Sequence, residues 1–185
     1  NGSFSVTLGV TSGIAQVGLS LFGTEEQKQQ YLPRLTSGEW LGAYCLSETN
    51  SGSDALAAAT RADRDGDSYV LNGTKLWISN ATWPQFILAM PKVDGQKFSA
   101  LLVERDNPGL SISREEHKMG LKGSSTARVI LENARVPAGA LLHEEGLGHQ
   151  VAFNALNIGR FKLSAMSLGP ARDAIGLAAA YALDR

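Results

Sequence analysis

Cysteine is almost missing from this chain of 185 residues: Cys45 stands alone, so no intrachain disulfide framework exists and a reducing compartment is the expected setting. In its apolar surroundings Cys45 reads as a buried packing thiol and not as a nucleophile. No charge of one sign dominates. The net charge is −1 without a block of like charges, which argues against a basic face for nucleic acid. No uninterrupted apolar run reaches the length that crosses a bilayer and no secretory leader pattern is visible, so no transmembrane segment is expected. His117, His143 and His149 are scattered, without zinc-site spacing, and are expected at the surface with no metal. Dinucleotide-type glycine motifs, a Walker loop and a G-x-S-x-G elbow are all absent. What remains is ordinary: 43% hydrophobic and 19% charged residues, enough chain for a sizeable core in one domain or two small ones.

Three stretches of different periodicity follow one another. Val10, Ile14, Val17 and Leu21 recur at helical spacing and predict a helix over residues 3–22, with Gly9, Gly13, Gln16 and Ser20 on a second face. Two glycines on that face suggest close approach by a helix or a ligand. Thr24 and Gln27 form a capping box that opens a second helix, ending near Ser37-Gly38. From Trp40 to Pro137 the period becomes two. Tyr69 and Leu71 lead to Asn72-Gly73, then Leu76 and Ile78 resume, which predicts a hairpin turning at Asn72-Gly73. Phe86, Leu88 and Met90 alternate, Asp94-Gly95 offers a further turn, and residues 98–104 and 127–132 read as strands. Many short strands without interleaved helices predict an antiparallel sandwich or barrel. After Gly146-Leu147-Gly148 helical character returns and persists to Arg185, with Pro170 expected to kink it or mark a first turn. The expected class is therefore α+β and multi-domain. Residues 1–39 would end an N-terminal helical domain, 40–145 form the middle β-domain, and 146–185 begin a C-terminal helical domain. The chain opens without an initiator Met and closes in helical sequence without a stop signal, so a segment of a longer protein is the expected reading.

Two strand ends carry the chemistry. Tyr44 through Asp54, and Trp77-Ile78-Ser79-Asn80, are apolar runs that finish in hydroxyls and amides. If both belong to one small sheet, their polar ends meet at one rim and suit a flat, polar-edged aromatic ligand. Ser47 would supply a donor to one edge, Ser79 to the other, and Trp77 would pack against the ring. Residues 50–53 offer amides and hydroxyls suited to phosphate or amide groups. Strand-end serines also satisfy their own turns, and both readings stand at this level.

These segments resemble the flavin-contacting signatures of the acyl-CoA dehydrogenases. Cys45-Leu46-Ser47-Glu48 through Gly52-Ser53-Asp54 is similar to the first signature, and Leu71 through Asn80 to the second. Lys118 through Ala127 and Val136-Pro137 resemble later strands of the middle domain. Glu145 through Gly148 and Leu156 through Arg160 resemble the start of the last helical domain. Val6-Thr7-Leu8-Gly9 and Leu21-Phe22-Gly23-Thr24 look closest to the very-long-chain branch.

The resemblance implies FAD as cofactor and α,β-dehydrogenation of an acyl-CoA to a trans-2-enoyl-CoA, on medium-to-long chains. It implies that Tyr44, Leu46, Ser47, Gly52, Ser53, Trp77, Ile78 and Ser79 contact FAD. Ser47 and Ser79 stand where many members carry Thr, and the hydroxyl survives both changes. Ser53, Asn157 and Arg160 would meet the CoA arm, with Asn157 where many members have Asp. Arg185 would reach the FAD phosphates of a neighbouring subunit. No catalytic residue is assigned: the base is a Glu expected beyond Arg185, and the position used by some members is Gly159. Gly9 and Gly13 would deepen an acyl tunnel. Implied partners are acyl-CoA, an electron-transfer flavoprotein and further copies in a homodimer or homotetramer. The expected location is bacterial cytoplasm, with mitochondrial matrix as alternative. Residues 1–185 alone are expected to hold FAD weakly or not at all. Alternatives are a flavin oxidase relative and a non-catalytic binding or assembly subunit.

Overall fold

A computed structural model describes residues 2–185; Asn1 lies outside them. The chain opens with α1 (Gly2–Val10), a π turn (Thr11–Ala15), α2 (Gln16–Phe22) and α3 (Glu25–Ser37). Ten strands follow: β1 (Gly42–Cys45), β2 (Arg61–Asp65), β3 (Ser68–Ser79), β4 (Phe86–Ala89), β5 (Lys92–Val93), β6 (Lys97–Phe98), β7 (Ala100–Glu104), β8 (Leu110–Ile112), β9 (Thr126–Pro137) and β10 (Leu141–Leu142). A 36-residue helix, α4 (Gly148–Leu183), closes the chain and runs through Pro170.

The strands form two open sheets, of order β1-β4-β7-β10 and β6-β5-β2-β3-β9-β8, and not a closed barrel. Nor are they wholly antiparallel, since β1 pairs with β4 and β2 with β5 in parallel. Both sheets supply one core, with Leu71, Val129 and Leu131 from the larger and Ile87, Leu88, Leu101 and Val103 from the smaller. β4 is buried at every position, so the alternation read at Phe86 and Leu88 marks no solvent face.

Asn72-Gly73 is not a hairpin turn. β3 passes straight through it, and the reversal lies at Gly66-Asp67, where Gly66 has φ of 58°. Gly73 is needed there for proximity: a Cβ would stand 2.8 Å from Thr60 Cα, and its φ of 152° is one that L side chains rarely adopt. The register slips between Leu71 and Gly73, where β9 spends an extra residue. Asp94-Gly95 does turn as read, with φ of 49° and 73°.

The first helix exists, but its buried face is Thr11, Gly13, Ala15, Gly18 and Leu19. The expected stripe is displaced by one residue from its first member on: Val10, Ile14 and Val17 are half-buried and Leu21 is exposed, because close approach to the neighbouring elements selects the small residues Ala15 and Gly18. Gly9 has open space around it. Gly18 makes the close approach instead: a Cβ there would meet Leu88 Cδ2 at 2.9 Å and Val151 Cγ1 at 3.4 Å. Taken as one helix, Gly2–Phe22 has mean hydropathy 1.4 and is long and apolar enough to cross a membrane by length and composition alone, a test that a core helix also passes. In this fold its small-residue face packs on β1, β4 and α4. The capping box at Thr24 and Gln27 forms as read, both bonds present, and Gly38 closes α3 at φ of 79°. Pro33 sits inside α3 without ending it.

Glu145 ties the start of α4 to the larger sheet. Its carboxylate accepts from Tyr69 Oη at 2.7 Å and Lys97 Nζ at 3.2 Å, and pairs with Arg64. The Arg64 hydrogen bond, with those of Tyr69 and Lys97, outweighs burial and lowers its pKa from 4.5 to about 2. A depressed carboxylate contributes stability above its unfolded value and loses it as pH falls through the folded one. Glu145→Gln is expected to cost about 1 kcal/mol at pH 7, modest because the cations are half exposed. Chemical denaturation at stepped pH should show that difference shrinking from pH 4.5 to about 2. A pH-independent difference would count against it.

Candidate functional site

Lys75, Leu76 and Trp77 set the geometry of the site. β3 carries an extra residue between Lys75 and Ile78, a bulge against β9. Trp77 sits in it at φ of 54°, a left-handed conformation that a bulky residue adopts only under constraint, and its side chain is 64% exposed. The bulge lets Leu76 N–H reach across to Ser47 O at 2.8 Å. The end of β1 and the end of β3 are thereby joined although they lie in different sheets.

The joint opens on a cavity of about 310 Å³ lined by Val10, Ile14, Tyr44, Leu46, Ser47, Leu76, Trp77, Ile78, Ser79 and Leu156. Six of the residues singled out in the sequence, Tyr44, Leu46, Ser47, Trp77, Ile78 and Ser79, converge there. The hydroxyls of Ser47 and Ser79 hydrogen-bond no other described residue, which leaves two donors on an otherwise apolar wall. Tyr44 is spent on the fold: its Oη donates to Ala152 O at 3.3 Å, and burial raises its pKa. Cys45 is fully buried and its pKa is pushed up to about 12 by burial, which makes it the packing thiol expected.

The other expected contacts lie elsewhere. Gly52 and Ser53 are exposed in the turn after Glu48 and do not line the cavity. Asn157, next after Leu156, and Arg160, one turn further along α4, are exposed, with Arg160 Nη1 donating to Asn157 Oδ1 at 2.9 Å. Arg185 stacks on Tyr181 at 5.3 Å and takes no part in the cavity. Gly9 and Gly13 also lie outside it, and a Cβ at Gly13 would meet Lys162 Nζ at 3.4 Å. The tunnel-deepening role expected of them has no support in this geometry.

Below the cavity wall lies a buried ion pair that the residue pattern had not suggested. Lys75 is 0% exposed and its Nζ donates to Glu48 Oε1 at 2.6 Å, Met90 O at 2.6 Å and Leu46 O at 3.1 Å. Glu48 accepts in addition from Ala59 N at 2.7 Å and Thr60 N at 3.2 Å. Burial lowers the Lys75 pKa against the pull of Glu48. Burial would raise Glu48, yet Lys75 and the two amides hold it below its ordinary value. A carboxylate so committed is no free base. A signal for the pair does exist in the sequence: with Tyr69 and Leu71 inward, a period of two places Lys75 inward as well.

Residues 43–134 match the family described as Acyl-CoA dehydrogenase, middle domain, and residues 1–39 match Acyl-CoA dehydrogenase, N-terminal domain. The chain belongs to the acyl-CoA dehydrogenase family. It is 50% identical over its whole length to a probable acyl-CoA dehydrogenase of Bacillus subtilis, covering 31% of that protein. It is 41% identical over 99% of its length to the mitochondrial short-chain specific acyl-CoA dehydrogenase of Bos taurus, covering 45% of it. A crystal structure of an acyl-CoA dehydrogenase complexed with FAD from Bacillus anthracis superposes with TM-score 0.94 at 50% identity, covering 99% of this chain and 32% of that one. The chain therefore spans between about a third and a half of the acyl-CoA dehydrogenases it matches. Similarity to a short-chain enzyme corrects the likeness to the very-long-chain branch, which rested on two short helical segments.

Proposed function

We propose that this chain forms one wall of an FAD site in an acyl-CoA dehydrogenase that acts on short acyl-CoA thioesters. The observation that carries the reading is the convergence of two uncommitted hydroxyls, Ser47 and Ser79, with a strained, exposed Trp77 on one cavity. The donor set fits a flavin ring. Ser47 and Ser79 offer hydrogen bonds to the polar edges of a flat tricycle, Trp77 offers an aromatic face, and the remaining lining is apolar. When bound, the flavin supplies a site that accepts a hydride from the substrate's β carbon.

The chain's own residues bind and orient. Ser47 and Ser79 are placed to donate where negative charge collects on reduction. Val10, Ile14 and Leu156 keep water from the apolar side. Arg160 lies four residues along α4 from Leu156, on the same side of the helix, and is placed to meet the phosphate-bearing arm of a CoA ester. No carboxylate lines the cavity, Glu48 is spent on Lys75 and Gly159 carries no side chain, so none of these positions supplies the proton-abstracting base. Family membership supports an electron-transfer flavoprotein as the electron acceptor, and the short-chain relative supports a short acyl group.

Replacing Ser47 or Ser79 by alanine in the complete protein should weaken FAD about 5- to 10-fold, the worth of one hydrogen bond. The double change is expected to weaken it about 30-fold or more. Quenching of flavin fluorescence on titration measures this, and bleaching of the bound flavin by butyryl-CoA reads the reaction. Parent-like FAD affinity in the double variant would sink the assignment.

A further inference from the structure

Lys75 is the one fully buried cation among the described residues, and its partners flank Ser47. It grips the residue before, through Leu46 O, and the residue after, through the Glu48 carboxylate. The next residue along β3, Leu76, donates its N–H to Ser47 O. Three consecutive residues of one segment are thus held by two consecutive residues of the other. Nothing in the stability of the core requires this arrangement, because a pair of well-packed apolar side chains serves a core equally well.

Its effect is directional. A trans peptide sets each C=O antiparallel to the N–H that follows, and no cis peptide occurs among the described residues. With Leu46 O turned onto Lys75 Nζ, the Ser47 N–H points the opposite way, and it hydrogen-bonds no other described residue. Leu46 and Ser47 both line the cavity while Lys75 does not. We propose that Lys75 and Glu48 are positioning residues for the ring site: by drawing the Leu46 carbonyl into the core they turn the Ser47 amide and hydroxyl to the cavity, beside Trp77 and Ser79. The proposal rests on the flavin reading above for its purpose, and on geometry alone for its mechanism. It adds a backbone donor to the two hydroxyls, and all three are fixed before a ligand arrives.

The test uses the charge-free double variant Glu48→Gln/Lys75→Met, which leaves no buried ion alone. Val103→Ala serves as a destabilised control, a buried β7 residue that does not line the cavity. In amide correlation spectra of the ligand-free chain, the double variant should move the Ser47 amide and the Trp77 indole signals. The control should leave both where they are. In the complete flavoprotein the double variant should bind FAD about 10-fold more weakly. Its ring should also lose about 10-fold of its preference for the reduced form, about 30 mV more negative for a two-electron couple. Unmoved Ser47 and Trp77 signals overturn the proposal, as do moved signals with parent affinity and potential. A parent protein that takes up no FAD overturns the flavin reading and not the clamp, which the ligand-free spectra read by themselves.

Discussion

Lys75→Met as a single change is expected to lower stability by about 3–5 kcal/mol at pH 7, the range for breaking a buried ion pair by removing one partner. The methionine fits the space of the lysine stem, so lost packing is a minor part. The main cost is the Glu48 carboxylate, left 7% exposed with two amide donors and no cation. The carbonyls of Leu46 and Met90 lose their donor as well. The penalty should shrink as pH falls: without Lys75, burial favours protonation of Glu48 and the variant sheds its lone charge, while in the parent Lys75 still holds Glu48 ionised below its ordinary value. Denaturant titration at pH 7 and pH 4 measures both effects. A loss below about 1 kcal/mol would mean that water reaches Glu48 and that the site is wetter than its burial indicates.

The second large effect concerns the start of α4. A Cβ on Gly148 would stand 2.5 Å from Ser99 C, 2.6 Å from Ser99 Cα and 2.8 Å from Ser99 N. All three obstacles are backbone, so no rotamer relieves them. Ser99 is itself fixed, its Oγ accepting from Gly146 N at 3.0 Å and donating to Lys97 O at 2.8 Å. Gly148→Ala should therefore cost about 3 kcal/mol, the upper end for overpacking, and lower Tm by about 6–12 °C. Because α4 carries Leu156 to the cavity, the same change should loosen the cavity mouth. A Tm lowered by less than about 2 °C would show that the helix slides away from β7 at little cost.

How far the sequence revealed this can be judged residue by residue. The capping box and the Asp94-Gly95 turn are local, and both were legible because four or fewer residues decide them. Ser47 and Ser79 were placed together correctly, but through the wrong agent. A shared sheet was expected, whereas hydrogen bonds from Lys75 and Leu76 to the Leu46–Glu48 segment join two sheets. Asn72-Gly73 misled because the pair that permits a tight turn also permits a close approach, and Thr60, which demands it, lies far off in sequence. The helix stripe failed because the buried face is set by small size and by a polar contact, Gly42 N donating to Thr11 Oγ1, and not by hydrophobicity. Lys75 was hard to see because a lysine in a strand normally stands in water. Only its parity with Tyr69 and Leu71 spoke against that.

The bulge at Trp77 makes the far end of β3 depend on counting. Up to Lys75 odd-numbered positions face inward, and after the inserted residue Ile78 takes the inward place while Ser79 turns out. Loss or gain of one residue there would exchange those two, sinking a hydroxyl in oil and turning the isoleucine side chain outward. Substitutions in this stretch alter the strength of a grip; a change of length reverses which side does the gripping.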